Sequence, residues 1–332
     1  MEARKLKKRE YDKAKELYTE VFSTDSQGFI DYYFTEKTKD NDIYGLFDEN
    51  QLVSMIHLNP YELVIAGSKG PIHYIVAVAT KKEYRSRGYM GILLKKIMND
   101  LRKQGEVMTY LMPVAEAIYA PYDFYTVYEK HWDYYQDETQ FERGASISKL
   151  SVTDIDELVE IKNAALASQC QIYIYRNRIY YERLIKEYAA DGGKLLLESV
   201  DEKPKRVHLD VANPELIDSK FMVRILNVEK LLSHVTATGS LSLYFCLTDE
   251  YVEENEGIYI LTTTKDYALQ VSRNNQEETG EILTIAALTG FLFGKIKANE
   301  LHLQNGVSIT KGMEEELLKI IPFSRIRFDE VV

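Results

Sequence analysis

Residues 85–90, Arg-Ser-Arg-Gly-Tyr-Met, stand between an apolar run (Val76, Ala77, Val78, Ala79) and a segment with helical periodicity, and that order can hold an anion. A helix starting at Tyr89 leaves its first N–H groups without intrahelical acceptors. They converge beside Gly88, where no Cβ blocks a phosphate. Arg85 and Arg87 add positive charge. The bland alternative is an ordinary strand-to-helix corner with two solvated arginines, and the RxxG tetrapeptide alone does not decide between them. The three-glycine dinucleotide fingerprint and the GK[ST] phosphate loop are both absent. Cys170 and Cys246 have neither CxxC spacing nor a His cluster nearby, so no metal is expected and a reducing, cytoplasmic setting fits.

The elements that must position this corner follow from periodicity. Met90, Leu93, Leu94, Ile97, Met98 and Leu101 repeat at i, i+3, i+4, which predicts a helix from Tyr89 that Gln104-Gly105 ends. Ahead of it, QLVSMIHL, YELVIA and IHYIVAVA are separated by Asn59-Pro60 and by Gly67 to Gly70, which predicts an antiparallel meander. Residues 11–22 read as an amphipathic helix. At 332 residues several compact units are expected, and changes of texture place them at 1–145, 146–218 and 219–332. The last contains FMVRIL, SLSLYFCL, GIYILTTT and YALQVS as strand-like runs, with helices near 281–298 and 312–320. The apolar stretch 282–294 is expected to bury its side chains within its own unit and is too short for a bilayer of roughly 20 residues. A net charge of −11 disfavours nucleic acid and favours a small-molecule or cationic partner.

The meander, the corner, the long helix and the aromatic stretch after it together resemble the GNAT acetyltransferases, whose pyrophosphate loop reads [RQ]xxGx[GA]. Arg85, Ser86, Arg87, Gly88 and Tyr89 match it, while Met90 replaces the final small residue. The resemblance implies acetyl-CoA as co-substrate, its pantetheine arm held by the backbone of Val76, Ala77 and Val78 and its diphosphate by residues 85–90. Over nearly the whole chain, the segments VAVA…YRSRGYM, AIYAPYDFY, FMVRILNVEKLL and LTGFLFG occur in the order of the Eis-type N-acetyltransferases. That family joins a GNAT domain, a degenerate GNAT-like region, here shortened, and a sterol-carrier-like α+β domain. The implied fold class is α/β (α+β).

Family members use a tyrosine acid from an IYxxFGY-like segment, matched here by Ile118 to Phe124, and a base from the C-terminal α-carboxylate. The resemblance thus implies Tyr119 and Val332 as catalytic residues. Without it, Tyr119 would read as one of 25 core-packing tyrosines. His57, His73 and Glu116 are alternative bases, for which structural or surface roles weigh more. Arg224 reads as half of an ion pair at a domain joint, and Asp329 and Glu330 could attract an amine. The implied acceptor is a small-molecule or peptide amine, and the implied assembly is a homo-oligomer, a hexamer in family members. The rival reading is a non-catalytic CoA-sensing or lipid-binding protein.

Overall fold

The computed structural model describes residues 1–130, 138–210, 219–274 and 279–328. The first stretch forms β1 (Glu2–Lys5), α1 (Tyr11–Val21), α2 (Gln27–Thr35), β2 (Asp42–Asp48), β3 (Gln51–Ile65), β4 (Ser68–Thr80), α3 (Tyr89–Lys103), β5 (Met108–Leu111), α4 (Glu116–Tyr119) and β6 (Tyr125–Lys130). Helix α3 buries Leu93, Leu94, Ile97, Met98 and Leu101 of the face its periodicity predicts and leaves Met90, in its first turn, half-buried. Helix α1 buries Ala14, Leu17 and Tyr18. Because side chains alternate along a strand, β3 sends Ile56 to the α3 cluster and Met55 to the α1–α2 cluster.

Residues 146–210 form β7 (Ser146–Lys149), α5 (Ile155–Gln169), β8 (Ile172–Tyr175), α6 (Arg178–Ala190), β9 (Lys194–Val200) and β10 (Lys203–Asp210). Strands β10, β9 and β7 make a small antiparallel sheet whose Leu195 and Leu197 pack with Leu158 of α5 and Tyr181 of α6. Strand β8 leaves this unit and pairs with β3.

The remaining elements are β11 (Ser219–Ile225), α7 (Val228–Leu232), β12 (Thr236–Ala237), β13 (Ser242–Thr248), β14 (Gly257–Thr263), β15 (Leu269–Arg273), β16 (Ile282–Thr284), α8 (Ile285–Leu292), α9 (Lys311–Leu317), β17 (Ile320–Ile321) and β18 (Ile326–Arg327). The C-terminal unit has a sheet of its own, of order β15-β14-β13-β16. Strand β11, the FMVRIL run, lies instead in the first sheet, that of β1 to β6, antiparallel to both β5 and β6. The main sheet therefore runs β1-β2-β3-β4-β5-β11-β6, with β8 on β3 and β18 on β8, and draws on all three segments of the chain.

Two local expectations are corrected. Asn59-Pro60 does not turn: β3 continues through it to Ile65. Pairing with β2 ends at Leu58 and pairing with β8 begins at Glu62, so Pro60 occupies the gap between partners, where a missing N–H costs no ladder bond. The apolar helix α8 does not bury itself only within its own unit. It also packs on β11 and β6, and a Cβ at Gly290 would lie 3.0 Å from the Tyr125 ring. The sheet and the C-terminal unit thus share one core.

Candidate functional site

Strands β4 and β5 pair in parallel only at Tyr74↔Tyr110 and Ile75↔Leu111. There β5 stops, while β4 continues to Thr80. A β-bulge falls just beyond the split: the β3–β4 register shifts between Met55 and His57, and Ala77 takes φ 47. Its three residues diverge, Val76 toward the Tyr74–Tyr110 cluster, Ala77 toward α1 and α2, and Val78 toward α3. All three are half-buried, whereas Tyr74, Ile75 and Ala79 are buried. An edge that has lost its β5 partner presents N–H and C=O groups to an extended chain.

At the corner, Ser86 (φ 58) and Gly88 (φ 76) adopt the left-handed region, and Gly88 is the N-cap of α3. A Cβ on Gly88 would meet nothing within 4 Å, so glycine is favoured there by backbone conformation and leaves the space open. Arg85, Ser86, Arg87 and Gly88 are exposed, while Tyr89 and Met90 are half-buried against the α3 cluster. Arg85 Nε donates to the Thr80 carbonyl (3.1 Å) and Arg87 Nη2 to that of Glu83 (2.8 Å), which fixes both guanidinia near the turn and leaves them further donors. These groups fit a diphosphate. Gly91, which the sequence did not single out, is a point of contact: a Cβ there would lie 2.8 Å from the Tyr122 ring.

Tyr119 closes α4 at 7% exposure, in the same cluster as Ile75, Leu111 and Val78. Burial alone pushes its phenol up to about 12. Its ring sits edge-on to Phe124 at 6.1 Å. Asp123, where the matched pattern has glycine, takes φ 62. Tyr119, Val78, Tyr89 and Met90 thus belong to one core cluster, the one built around α3.

Val332, Asp329 and Glu330 lie outside the described residues. The last described ring, Phe328, is fully buried and stacks on Tyr110 at 4.9 Å, so β18 ends against the tyrosine at the head of the split. His57 pairs opposite Val76 but is wholly buried, its ring nitrogen 3.0 Å from the Tyr33 hydroxyl, and burial lowers its pKa to about 3. It is a neutral core histidine. His73 is bound to the buried Glu106 through both its ring and its backbone N–H. Glu116 accepts from Thr126 and from Lys220 (2.9 Å), and these bonds lower its pKa. Among the described residues no group of three His, Cys, Asp or Glu side chains converges as a metal site, and no helix is long and apolar enough to cross a membrane.

Sequence models of two domains match the chain: an acetyltransferase (GNAT) domain over residues 2–127 and a sterol carrier protein domain over 228–324. No curated protein sequence matches it. Similar solved structures include a GCN5-related N-acetyltransferase from Anabaena variabilis (14% identity, 98% of each chain, TM-score 0.77). A probable N-acyltransferase from Enterococcus faecalis follows it (16%, 98% of this chain and 99% of the other, TM-score 0.76). Eis1 from Mycobacterium abscessus is also similar (13%, 99% of each, TM-score 0.71). At these identities the structures speak for the fold, and the domain matches say what fills it. The chain carries an acetyltransferase (GNAT) domain followed by a sterol carrier protein domain, in a fold it shares over nearly its whole length with Eis1.

Proposed function

We propose that the protein transfers the acetyl group of acetyl-CoA directly to a primary amine, aminoglycoside, polyamine or lysine-like, with Tyr119 assisting departure of the thiol. The observation that carries this is the parting of β4 from β5 beside a buried, uncharged phenol and an exposed helix N-terminus. The backbone of Val76, Ala77 and Val78 holds the pantetheine arm. The N–H groups of residues 86–90, with Arg85 and Arg87, hold the diphosphate. When bound, acetyl-CoA supplies an activated thioester; the protein orients it and manages protons.

The proton balance is simple: the amine loses one proton as its bond to the acyl carbon forms, and the sulfur gains one as its bond breaks. A phenol at about 12 keeps its proton throughout the neutral range. Full transfer to a thiolate of ordinary pKa about 8.5 would run uphill by about 3.5 units. Tyr119 therefore donates a hydrogen bond as charge grows on sulfur and passes on a proton only as the amine releases its own. Where Val332 is the last residue, its α-carboxylate orients the amine and relays that proton, a role supported by the family resemblance and by Phe328 lying on Tyr110. The acidic chain, at −11, suits a cationic acceptor. The hexameric assembly rests on the resemblance alone, and the cytoplasmic setting on two unpaired cysteines.

The test is free-thiol release from acetyl-CoA with a panel of polyamines, aminoglycosides and lysine peptides. Amine-dependent release is expected for at least one class. Tight CoA binding with no release for any amine would instead support the CoA-sensing reading.

A further inference from the structure

Arg224 is the largest fully buried side chain among the described residues, and its partners come from the segment after Tyr119 and from the loop after β13. Its Nη2 donates to Asp249 Oδ1 at 2.5 Å and lies 3.6 Å from Asp123 Oδ2. Its Nη1 donates to its neighbour's carbonyl, that of Ile225 (2.7 Å), and its Nε to the Tyr122 carbonyl (3.1 Å). Asp249, also buried, organises the loop that follows β13: its Oδ1 accepts from the N–H groups of Tyr251 (3.1 Å) and Val252 (2.9 Å), and its Oδ2 from Asn255 Nδ2 (2.9 Å). That loop is laid along α3. Asn99 Nδ2 donates to the Tyr251 carbonyl (2.8 Å), Lys95 Nζ to that of Glu250 (3.2 Å), and Arg102 Nη1 to Asn255 Oδ1 (2.8 Å).

The same loop reaches the segment that carries Tyr119. The Tyr251 hydroxyl donates to the Pro121 carbonyl (3.1 Å), and its ring meets the Tyr122 ring edge-on at 5.4 Å. On its other side, the Tyr122 ring fills the space over Gly91 at the start of α3. The turn after Tyr119 is thus gripped at Pro121, Tyr122 and Asp123 by Tyr251 and by Arg224, which Asp249 holds in turn, while Gly91 of α3 backs the Tyr122 ring. Asp123 sits in the left-handed region, and burial raises its pKa while Arg224 opposes that rise. A short helix ending in such a turn has little local order of its own.

We propose that Arg224, Asp249 and Tyr251 are positioning residues for acyl transfer: through them the sterol carrier domain and its neighbouring strand hold the Tyr119–Asp123 turn in register with the first turn of α3. This rests on the reading of Tyr119 as the acid. The C-terminal domain is then a working part of the acetyltransferase site.

The test uses the full chain and two changes. Tyr251→Phe keeps the ring and removes one hydrogen bond. Arg224→Met with Asp249→Leu removes both charges together, because removing one would strand the other in the core. Loss of register is expected to lower kcat about 100-fold in the double variant and about fivefold in Tyr251→Phe, while KM for acetyl-CoA moves by less than about threefold. In a Tyr119→Phe background neither change should lower kcat further, since both act through the hydroxyl already removed. Equal losses in both backgrounds, a loss confined to KM, or unchanged kcat would overturn the proposal. If the double variant does not fold, Tyr251→Phe carries the same comparison alone. Wild-type kcat in Tyr119→Phe by itself would overturn the acid reading, and the proposal with it, without touching the location of the acetyl-CoA site.

Discussion

At the β4–α3 corner most of the geometry comes from the residues on the spot: Gly88 takes φ 76, Arg85 and Arg87 bond to carbonyls within five residues, and α3 begins at Tyr89 from its own periodicity, with Ser86 at φ 58 the exception. Across the split, the turn after Tyr119 is held by residues more than a hundred positions later, Arg224, Asp249 and Tyr251. The anion-holding half of the site is therefore encoded locally, whereas the proton-handling half depends on the assembled fold. Damage to the first should appear in cofactor affinity, and damage to the second in turnover.

Tyr119→Phe breaks this contrast most severely. We expect kcat to fall by about 100-fold or more with KM for acetyl-CoA little changed, measured by thiol release. Because burial pushes the phenol up to about 12, wild-type kcat should show no alkaline loss from this group until the pH approaches that value. Gly88→Val attacks the other half. The left-handed backbone then costs about 1–2 kcal/mol, and the Cβ enters the open space over the turn, so acetyl-CoA affinity by calorimetry should drop about tenfold while kcat at saturation holds.

Gly91→Ala touches both halves at once. Its Cβ would lie 2.8 Å from the Tyr122 ring, which must shift, and we expect kcat to fall about threefold to tenfold with a smaller change in KM. The smallest effect on activity is a stability effect beneath the split. His57 is held neutral, with a pKa of about 3 folded against an ordinary 6.5. Protonation therefore favours the unfolded chain. The contribution is complete above about pH 6.5 and is lost as pH falls toward 3, at about 1.4 kcal/mol per pH unit at most. Thermal melts between pH 7 and 4 should fall less steeply in His57→Gln. The carboxylates Glu10 and Glu36, lowered to about 2 by Arg4 and Lys186, act with the same sign but lie at the surface, where solvent screens them.

Legibility in the sequence followed the same division. The corner and α3 could be read because period, glycine and charge are local signals, and Leu93 to Leu101 are buried as their spacing predicts. The Pro60 expectation failed because the gap between β2 and β8 is a property of the sheet. FMVRIL was legible as a strand, but nothing in its residues said that it would enter the first sheet between β5 and β6. Arg224 suggested a domain-joint ion pair, and Asp249 supplies it; neither its partner nor its grip on Tyr122 has a sequence signature. Tyr119 stands out among 25 tyrosines only through resemblance to a family pattern. The signal that could have pointed to Gly91 was its place immediately after the corner, on the helix turn that Tyr122 covers.

The most direct measurement is a crystal structure of the protein with CoA. The expected result is the pantetheine arm along Val76 to Val78, the diphosphate over residues 86–90, and the sulfur within about 3.5 Å of the Tyr119 hydroxyl. CoA bound elsewhere, or bound in the split with its sulfur out of hydrogen-bond reach of Tyr119, would contradict it.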